Sequence, residues 1–285
     1  ASLLSQLVIP LPPIPEQKKI AYVLSKIQQA IETQEKIIKT TQELKKALMQ
    51  KLFTEGLNGE PQKQTEIGLI PESWEVVPFN SIAEFKNGIN FKKEQKGDKG
   101  ILTIDVLNMY GRSYFVEFDN LYRVNKKINE SYFLKADDLL FVRSSLKLEG
   151  VGWSSLFNGN TEPTTYCGFI IRARISDPTI NKKYLTYFFR TNFARSKLIS
   201  KSAKLGITNI NQGNLGNVLV PIPAQKEQEE IVRVLLNLDT KLEFLTRNKE
   251  AQQELFKNML NQLMTGQIRV KDIEFELEET AEAVD

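Results

Sequence analysis

The feature that most constrains this chain of 285 residues is an internal repeat. When the sequence is shifted by 211 residues, Val8–Thr54 aligns with Leu219–Thr265 without a gap, and fourteen aligned pairs are identical. The identical pairs are Pro10/Pro221, Pro12/Pro223, Glu16/Glu227, Gln17/Gln228, Ile20/Ile231, Val23/Val234, Leu24/Leu235, Glu32/Glu243, Gln42/Gln253, Glu43/Glu254, Leu44/Leu255, Lys46/Lys257, Leu52/Leu263 and Thr54/Thr265. Two copies of one element around a single insert predict a helical frame that holds one globular domain.

Both copies predict the same local structure. Each opens with an apolar segment broken by proline, Val8–Pro12 or Leu219–Pro223, which favours an extended entry to a helix because proline cannot donate to a sheet ladder. Roughly 40 residues without glycine or proline follow, and each copy ends at a glycine, Gly56 or Gly266. At about 1.5 Å per residue, each predicted helix is on the order of 60 Å long.

Apolar residues recur with heptad spacing along both predicted helices, which is typical of a coiled coil. Gln34 interrupts this pattern in the first copy. The predicted helix seam consists of Ile20, Leu24, Ile27, Ile31, Ile231, Leu235, Leu238, Leu242 and Leu245. A plain dimerisation coiled coil is the simplest interpretation of heptads alone. With two copies in one chain, the helices are expected either to pair antiparallel with each other or to exchange with a second chain.

Composition narrows the classes of function. No run of 18 apolar residues is present and Ala1–Leu7 does not resemble a signal peptide, so we expect a soluble protein with no membrane contact. A single cysteine, Cys167, excludes an internal disulfide and fits a reducing cytoplasm. The chain has no histidine, the commonest general base at neutral pH, which lowers the expectation of an enzyme.

Charge is distributed unevenly along the chain. Residues 61–218 contain 22 Lys and Arg against 15 Asp and Glu, whereas the rest of the chain contains 16 against 20. No acidic residue occurs between Asp177 and Glu227, a window that contains eight basic residues. Such a window indicates polyanion binding, and a solvated basic face explains the charge equally well.

Sequence motifs for catalysis are missing. The chain has no phosphate-binding loop, no methyltransferase loop of the Asn/Asp-Pro-Pro-aromatic type, and only an isolated Gly150-Val151-Gly152. The acids Asp137 and Asp138 are expected in a solvated turn or as a helix cap, and Cys167 has no histidine to activate it. These observations disfavour a nuclease or a methyltransferase.

The insert alternates short apolar runs with turn-rich pieces, which predicts a mixed globule with several strands and an aromatic helix near residues 182–200. Most aromatic residues, including Phe141, Phe169 and Phe188, are expected in the core. The predicted fold class is therefore α+β, with one mixed α/β domain flanked by two long coiled-coil helices. The predicted segments are 1–60 for the first repeat, 61–218 for the domain, 219–270 for the second repeat and 271–285 for a disordered acidic tail.

Five stretches resemble specificity subunits of type I restriction-modification systems. Residues 8–17 and 219–228, each followed by a long helix, are similar to the repeated regions of that family. Residues 65–76 are similar to the entry of its target recognition domains, and residues 134–144 and 206–211 are similar to the middle and end of such a domain.

The resemblance implies a non-catalytic subunit that reads one half of a bipartite site in double-stranded DNA. It also implies that the helices space two recognition domains and dock methylation subunits, which bind S-adenosylmethionine, while a restriction subunit joins the complex. No cofactor is expected to bind this chain directly. The usual family member alternates two domains with two repeats, so this chain is expected to be a C-terminal fragment or a natural half-subunit, with a homodimer through the long helices in the second case.

Candidate DNA contacts are residues that can bind phosphates or read base edges. The turn 206–212 combines amide side chains with a glycine that allows close backbone approach. The full set is Lys86, Asn87, Lys92, Lys93, Arg112, Tyr114, Arg143, Ser144, Lys147, Arg190, Arg195, Lys197, Lys201, Lys204, Thr208, Asn209, Asn211 and Gln212.

The sequence leaves two classes of function open, a protein-binding adaptor and a DNA-binding subunit. A coiled-coil adaptor whose insert binds protein would bind its partner independently of salt and would have no affinity for duplex DNA. Phosphate contacts instead predict an affinity that falls steeply as the salt concentration rises.

Overall fold

The structure is a computed structural model that describes residues 11–111, 113–145, 147–200 and 208–270. The Val8–Pro12 segment is therefore described only from Leu11, and the predicted acidic tail lies outside the described residues. The helices are α1 (Ile14–Thr54), α2 (Lys182–Phe189), α3 (Asn192–Ser200), α4 (Gln212–Gly216) and α5 (Gln225–Met264).

Short strands make up most of the remaining regular structure. They are β1 (Gln62–Thr65), β2 (Gly68–Pro71), β3 (Glu75–Pro78), β4 (Glu84–Asn87), β5 (Lys96–Gly97), β6 (Ile101–Ile104), β7 (Tyr122–Val124), β8 (Leu139–Val142), β9 (Ser144–Ser145), β10 (Ser154–Leu156), β11 (Thr164–Tyr166), β12 (Ile170–Arg174), β13 (Thr208–Asn209) and β14 (Leu219–Ile222). The predicted mixture of helix and strand is confirmed.

The strands form two four-stranded sheets and three two-stranded pairs. One sheet has the order β10-β8-β12-β4, with the neighbours antiparallel. The other has the order β11-β6-β7-β5, with β11 and β6 parallel. The strands β1 and β2, β3 and β14, and β9 and β13 form the two-stranded pairs. Pairing of β14 with β3 puts the proline-rich entry of the second repeat in a small sheet with the start of the insert.

Contacts divide the chain into two compact units. One contains Glu43–Thr240, and the other contains the part of α1 up to Gln42 and the part of α5 from Lys241.

The unit Glu43–Thr240 has an aromatic core. Phe79 packs against Phe85, Phe141 and Phe189, with ring centroids 4.6 to 5.9 Å apart. The same core includes Leu52 and Phe53 from α1 and the predicted seam residues Ile231 and Leu235 from α5. The ends of both long helices therefore contribute to the hydrophobic core of the strand-rich unit.

Polar contacts also attach the long helices to this unit. Trp74 donates its indole N–H to Glu227 Oε2 at 3.0 Å, and the backbone amide of Leu57 donates to Glu227 Oε1 at 2.9 Å. Asp239 accepts a hydrogen bond from the Tyr187 hydroxyl at 2.5 Å and forms an ion pair with Lys45. Buried Glu227 and half-buried Asp239 are therefore each satisfied by donors from two separate segments.

In the other unit, α1 and α5 lie antiparallel. Gln34 Nε2 donates to the Leu245 carbonyl at 2.9 Å, Lys249 pairs with Glu35 at 3.6 Å, and Ile20 packs in a cluster with Leu263. The other predicted seam residues of this unit, Leu24, Ile27, Ile31, Leu242 and Leu245, are buried or half-buried. These contacts join α1 and α5 in this unit.

Candidate nucleic-acid interface

A short ladder brings together candidates that are far apart in the sequence. Strand β9 pairs antiparallel with β13, and Asn209 lies opposite Ser144. The ladder continues beyond the strands because the backbone amide of Ile210 donates to the Arg143 carbonyl at 3.0 Å. Arg143, Ser144 and Asn209 are therefore neighbours in the structure.

The turn formed by Gly168 and Phe169 fixes Arg143. The backbone amide of Arg143 donates to the Phe169 carbonyl at 2.7 Å, and its Nη1 donates to the Gly168 carbonyl at 3.4 Å. A Cβ on Gly168 would lie 2.1 Å from Asn90 Oδ1, so a larger residue there would displace the Asn90 side chain. The Phe169 ring is 60% exposed.

The other side of this turn contacts the loop after β4. The backbone amide of Gly88 donates to the Ile170 carbonyl at 3.0 Å, and a Cβ on Gly88 would lie 2.0 Å from the Cys167 carbonyl oxygen. Asn87 Oδ1, immediately before this glycine, is buried without a hydrogen-bond partner in the described part of the chain. The two predicted groups around residues 87 and 143 therefore meet at the same turn.

The residues around the Gly168–Phe169 turn and the β9–β13 ladder form one surface, which we call the turn surface. Arg143 and Asn209 carry the donors and acceptors that read base edges, Lys147 and Ser144 suit phosphate oxygens, and an exposed aromatic ring stacks on bases or sugars. Lys147 is exposed, and its backbone amide donates to Ser145 Oγ at 3.2 Å. The turn surface consists of Asn87, Arg143, Ser144, Lys147, Phe169 and Asn209.

Lys86 does not share the orientation of Asn87, because successive side chains of a strand point to opposite faces. Its Nζ donates to Ser131 Oγ at 2.6 Å and lies 4.0 Å from the centroid of the Tyr132 ring. Lys92 and Lys93 are exposed in the segment that follows.

Tyr114 and Arg190 lie in the interior, which corrects the expectation that they contact DNA. The Tyr114 ring is 4% exposed and lies 5.3 Å from the Tyr187 ring. The Arg190 guanidinium donates to the Ser154 and Ser113 carbonyls and to Ser155 Oγ at 2.9 to 3.2 Å. Burial lowers the pKa of Arg190 to about 10, so its donors are charged at neutral pH and are used inside the domain.

The remaining candidate DNA contacts differ in how exposed each side chain is and in whether its polar atoms are already hydrogen-bonded. Arg195 is half-buried, with Nη2 donating to the Glu149 carbonyl, and burial lowers its pKa. Asn211 Oδ1 caps α4 by accepting from the Asn214 amide at 2.7 Å. Lys197 is exposed and Gln212 is half-buried. Arg112, Lys201 and Lys204 lie outside the described residues, as does the side chain of Thr208.

Two further expectations about individual residues, Phe169 and Asp138, are also wrong. Phe169 was expected in the core, yet it lies in the turn between Cys167 and β12 and its ring is exposed. Asp138 was expected in a solvated turn, yet it is 2% exposed and forms a two-point ion pair with Arg174 at 2.7 and 2.6 Å. The glycine immediately before Phe169 was the available signal of a turn.

The single thiol of the protein, Cys167, is buried. Burial, followed by the charge of Asp105, raises the pKa of Cys167 to about 12, so this thiol is protonated at neutral pH. In the described ranges, no group of three or more Cys, Asp or Glu side chains is arranged to hold a metal ion. None of the described helices is both long and apolar enough to span a membrane.

Comparisons with known proteins agree with the resemblance noted in the sequence. Residues 71–253 match the family described as the type I restriction modification DNA specificity domain. The chain is 28% identical over 269 residues to the type I restriction enzyme MjaVIII specificity subunit of Methanocaldococcus jannaschii, covering 94% of this chain and 63% of that protein. It is 30% identical over 279 residues to the putative MjaX specificity subunit of the same organism, covering 94% and 61%.

Solved structures show a similar fold. The HsdS subunit from Thermoanaerobacter tengcongensis matches with a TM-score of 0.55 and 17% identity, over 91% of this chain and 61% of that one. A chain from a study of complex assembly and conformational transition in the type I restriction-modification system matches with a TM-score of 0.63 and 16% identity, over 91% and 62%. This chain spans less than two thirds of the length of these relatives.

Proposed function

Because the chain belongs to the type I restriction modification DNA specificity family, we propose that residues 61–218 form a target recognition domain that reads one half of a bipartite site in double-stranded DNA. The observation that supports this proposal is the turn surface, where one ladder and one turn bring Arg143, Asn209 and an exposed Phe169 together. A planar guanidinium and an amide are the side chains best suited to bidentate readout of bases.

The basic residues outside the turn surface have a different proposed role. Lys92, Lys93 and Lys197 are exposed and suit contacts to phosphates, which orient the domain and carry no sequence information. The net positive charge of residues 61–218 supports the same role.

We propose that the two long helices form a coiled-coil spacer that also docks the methylation subunits of the same system, with a restriction subunit joining that complex. The antiparallel contacts of Gln34, Lys249 and Ile20 support a stable spacer. In this proposal the chain is a non-catalytic component of the cytoplasm, and the methylation subunits supply S-adenosylmethionine. The expected homodimer through the helix seam has less support, because the seam residues are already packed within one chain.

The proposed DNA recognition is tested by selecting bound sequences from a randomised duplex pool and then measuring affinity by fluorescence anisotropy. We expect the logarithm of the affinity to fall linearly with the logarithm of salt concentration. Substitution of Arg143→Ala is expected to weaken binding to the selected duplex by about 1–3 kcal/mol and to relax the preference at one base position.

Lys86→Ala is the matched control, because Lys86 lies near the site in sequence but points toward Ser131. It is expected to leave the base preference unchanged. If the wild-type chain binds no duplex at low salt, the proposed DNA recognition is wrong. Salt-independent binding of a protein partner without any duplex affinity would favour a protein-binding adaptor instead.

A further inference from the structure

Phe169 is the most exposed aromatic residue in the described part of the unit Glu43–Thr240. It is 60% exposed, whereas Tyr110 and Phe118 are each 39% exposed. A phenylalanine ring has no polar atom to bind water, so its burial in a complex contributes to binding. Because single exposed apolar residues are common on protein surfaces, the function of this ring has to be inferred from its surroundings.

The backbone on both sides of Phe169 is held by hydrogen bonds. The Ile170 amide donates to the Cys167 carbonyl at 3.0 Å and closes the turn. The Arg143 amide donates to the Phe169 carbonyl at 2.7 Å, and the Gly88 amide donates to the Ile170 carbonyl at 3.0 Å. Two other segments of the chain therefore fix the turn, so little backbone entropy is lost when the ring enters a complex.

The segments that build the turn surface contain no acidic residue. They are 85–93, 139–148, 163–176 and 208–226, and together they contain eight basic residues. An apolar ring among cations and amides matches a partner whose apolar faces lie between negative charges. Stacked bases between phosphate strands have this arrangement.

The geometry of a duplex restricts how a phenylalanine ring can be covered there. The faces of paired bases are covered by their neighbours in the stack, so a ring reaches a base face only where two adjacent base pairs separate. Contact with a groove edge, such as a thymine methyl, covers only part of the ring. Insertion between base pairs therefore buries the most of Phe169.

We propose that Phe169 is a wedge that inserts between two adjacent base pairs of the half-site, unstacks them and kinks the duplex. This inference rests on the proposed DNA recognition and gives that domain a further residue that determines specificity. Arg143 and Asn209, beside the turn, contact base edges next to the opened step. Proteins that bend DNA combine contacts of this kind with an apolar wedge such as Phe, Leu, Ile or Met.

A wedge makes the sequence of one base step part of the recognised site. Pyrimidine–purine steps, TA and CA/TG, unstack and kink easily, whereas A-tracts are stiff. The half-sites selected by the wild-type chain are therefore expected to contain a pyrimidine–purine step at one fixed position, beside the base that Arg143 reads. Phe169→Ala is expected to lose the preference at that step and to keep the preference for the base read by Arg143.

The test uses the full chain and the duplex that it selects. The adenine analogue 2-aminopurine, whose fluorescence is quenched by stacking, replaces each purine of the half-site in turn, and energy transfer between the duplex ends measures bending. Binding of the wild-type chain is expected to raise the fluorescence at one step and to bend the duplex by about 20–90°. Phe169→Ala is expected to abolish both signals and to weaken binding about 5- to 100-fold.

Three further variants make the result specific. Phe169→Leu is expected to keep both signals and to lose less than about threefold in affinity, because leucine also acts as a wedge. Phe244→Ala is the matched control, since Phe244 is 63% exposed but lies on α5, and it is expected to change neither the signals nor the affinity. Arg143→Ala is expected to weaken binding and, at saturating protein, to keep the rise in fluorescence. Unchanged urea midpoints exclude misfolding as the cause of any loss.

The inference is overturned if the wild-type chain binds its selected duplex without a rise in fluorescence or a bend, or if Phe169→Ala keeps both signals. It is also overturned if Phe169→Leu loses both signals, because the ring would then act as an aromatic platform. In these cases the proposed DNA recognition stands, since the wild-type chain binds its duplex. A wild-type chain that binds no duplex refutes the proposed DNA recognition and this inference together.

Discussion

The ion pair of Asp138 and Arg174 gives the sharpest prediction for the stability of the strand-rich unit. Asp138 lies immediately before β8, the strand that leads to Arg143. Its carboxylate accepts from Arg174 Nε and Nη2 at 2.7 and 2.6 Å and from the Lys135 amide at 2.7 Å. Its side chain is 1% exposed, whereas that of Arg174 is 23% exposed. We predict that Asp138→Ala destabilises this unit strongly.

The magnitude follows from what remains after the change. Removing one partner of a buried ion pair costs about 3–5 kcal/mol, because the other charge stays buried without compensation. Arg174 keeps its bond to the Phe133 carbonyl at 3.1 Å and some contact with solvent, so the lower end, about 3 kcal/mol, applies. Asp138→Asn keeps the shape and is expected to cost about 2 kcal/mol.

Urea unfolding followed by tryptophan fluorescence measures this loss, because Trp74 and Trp153 both lie in the unit Glu43–Thr240. The double variant Asp138→Ala with Arg174→Ala is expected to lose about 2 kcal/mol less stability than the two single variants lose together. Asp98→Ala, an exposed acid, is the control and is expected to change stability by less than about 0.5 kcal/mol. A loss below about 1 kcal/mol for Asp138→Ala, or strictly additive losses, would refute the reasoning.

Two further predictions concern buried titratable groups. Burial raises the pKa of Cys167 from 9.0 to about 12, so its contribution to stability is complete below pH 9 and is lost as the pH rises toward 12. In Cys167→Ala, the free energy of unfolding should therefore fall less between pH 9 and pH 12 than in the wild type. An identical pH dependence of the two proteins would contradict this. Arg190→Met leaves three acceptors inside the domain without their donor and is expected to cost about 2–4 kcal/mol in urea unfolding. The salt dependence of DNA binding is expected to stay unchanged. A flatter salt dependence would instead show that Arg190 contacts phosphate.

The long helices were predictable because their signals are local and repeated. Absence of glycine and proline, heptad spacing and a terminal glycine together indicate α1 and α5 in each copy independently. The sequence did not show that Ile231 and Leu235 pack in the aromatic core, because a heptad position does not identify the surface that covers it.

The candidate interface was only partly predictable. Arg143, Ser144 and Asn209 were expected from their chemistry, whereas their proximity depends on the pairing of β9 with β13, a contact between distant segments. Tyr114 was expected to contact DNA and is buried, whereas Phe169 was expected in the core and is exposed. Aromatic character alone does not distinguish a buried ring from one at a turn. Asp138 was misassigned because its partner, Arg174, is brought near by strand pairing alone.

The hydrogen bond from Gln34 to the Leu245 carbonyl joins two residues that the repeat makes equivalent, since they are 211 positions apart. In an antiparallel pair, a residue meets its own counterpart only at the centre of a two-fold arrangement. Two separate molecules that each carried one ancestral copy of this helix would therefore make the same contact when paired antiparallel. Duplication and fusion of that ancestral gene would turn an association between molecules into a contact within one, so the helix pair would no longer depend on protein concentration.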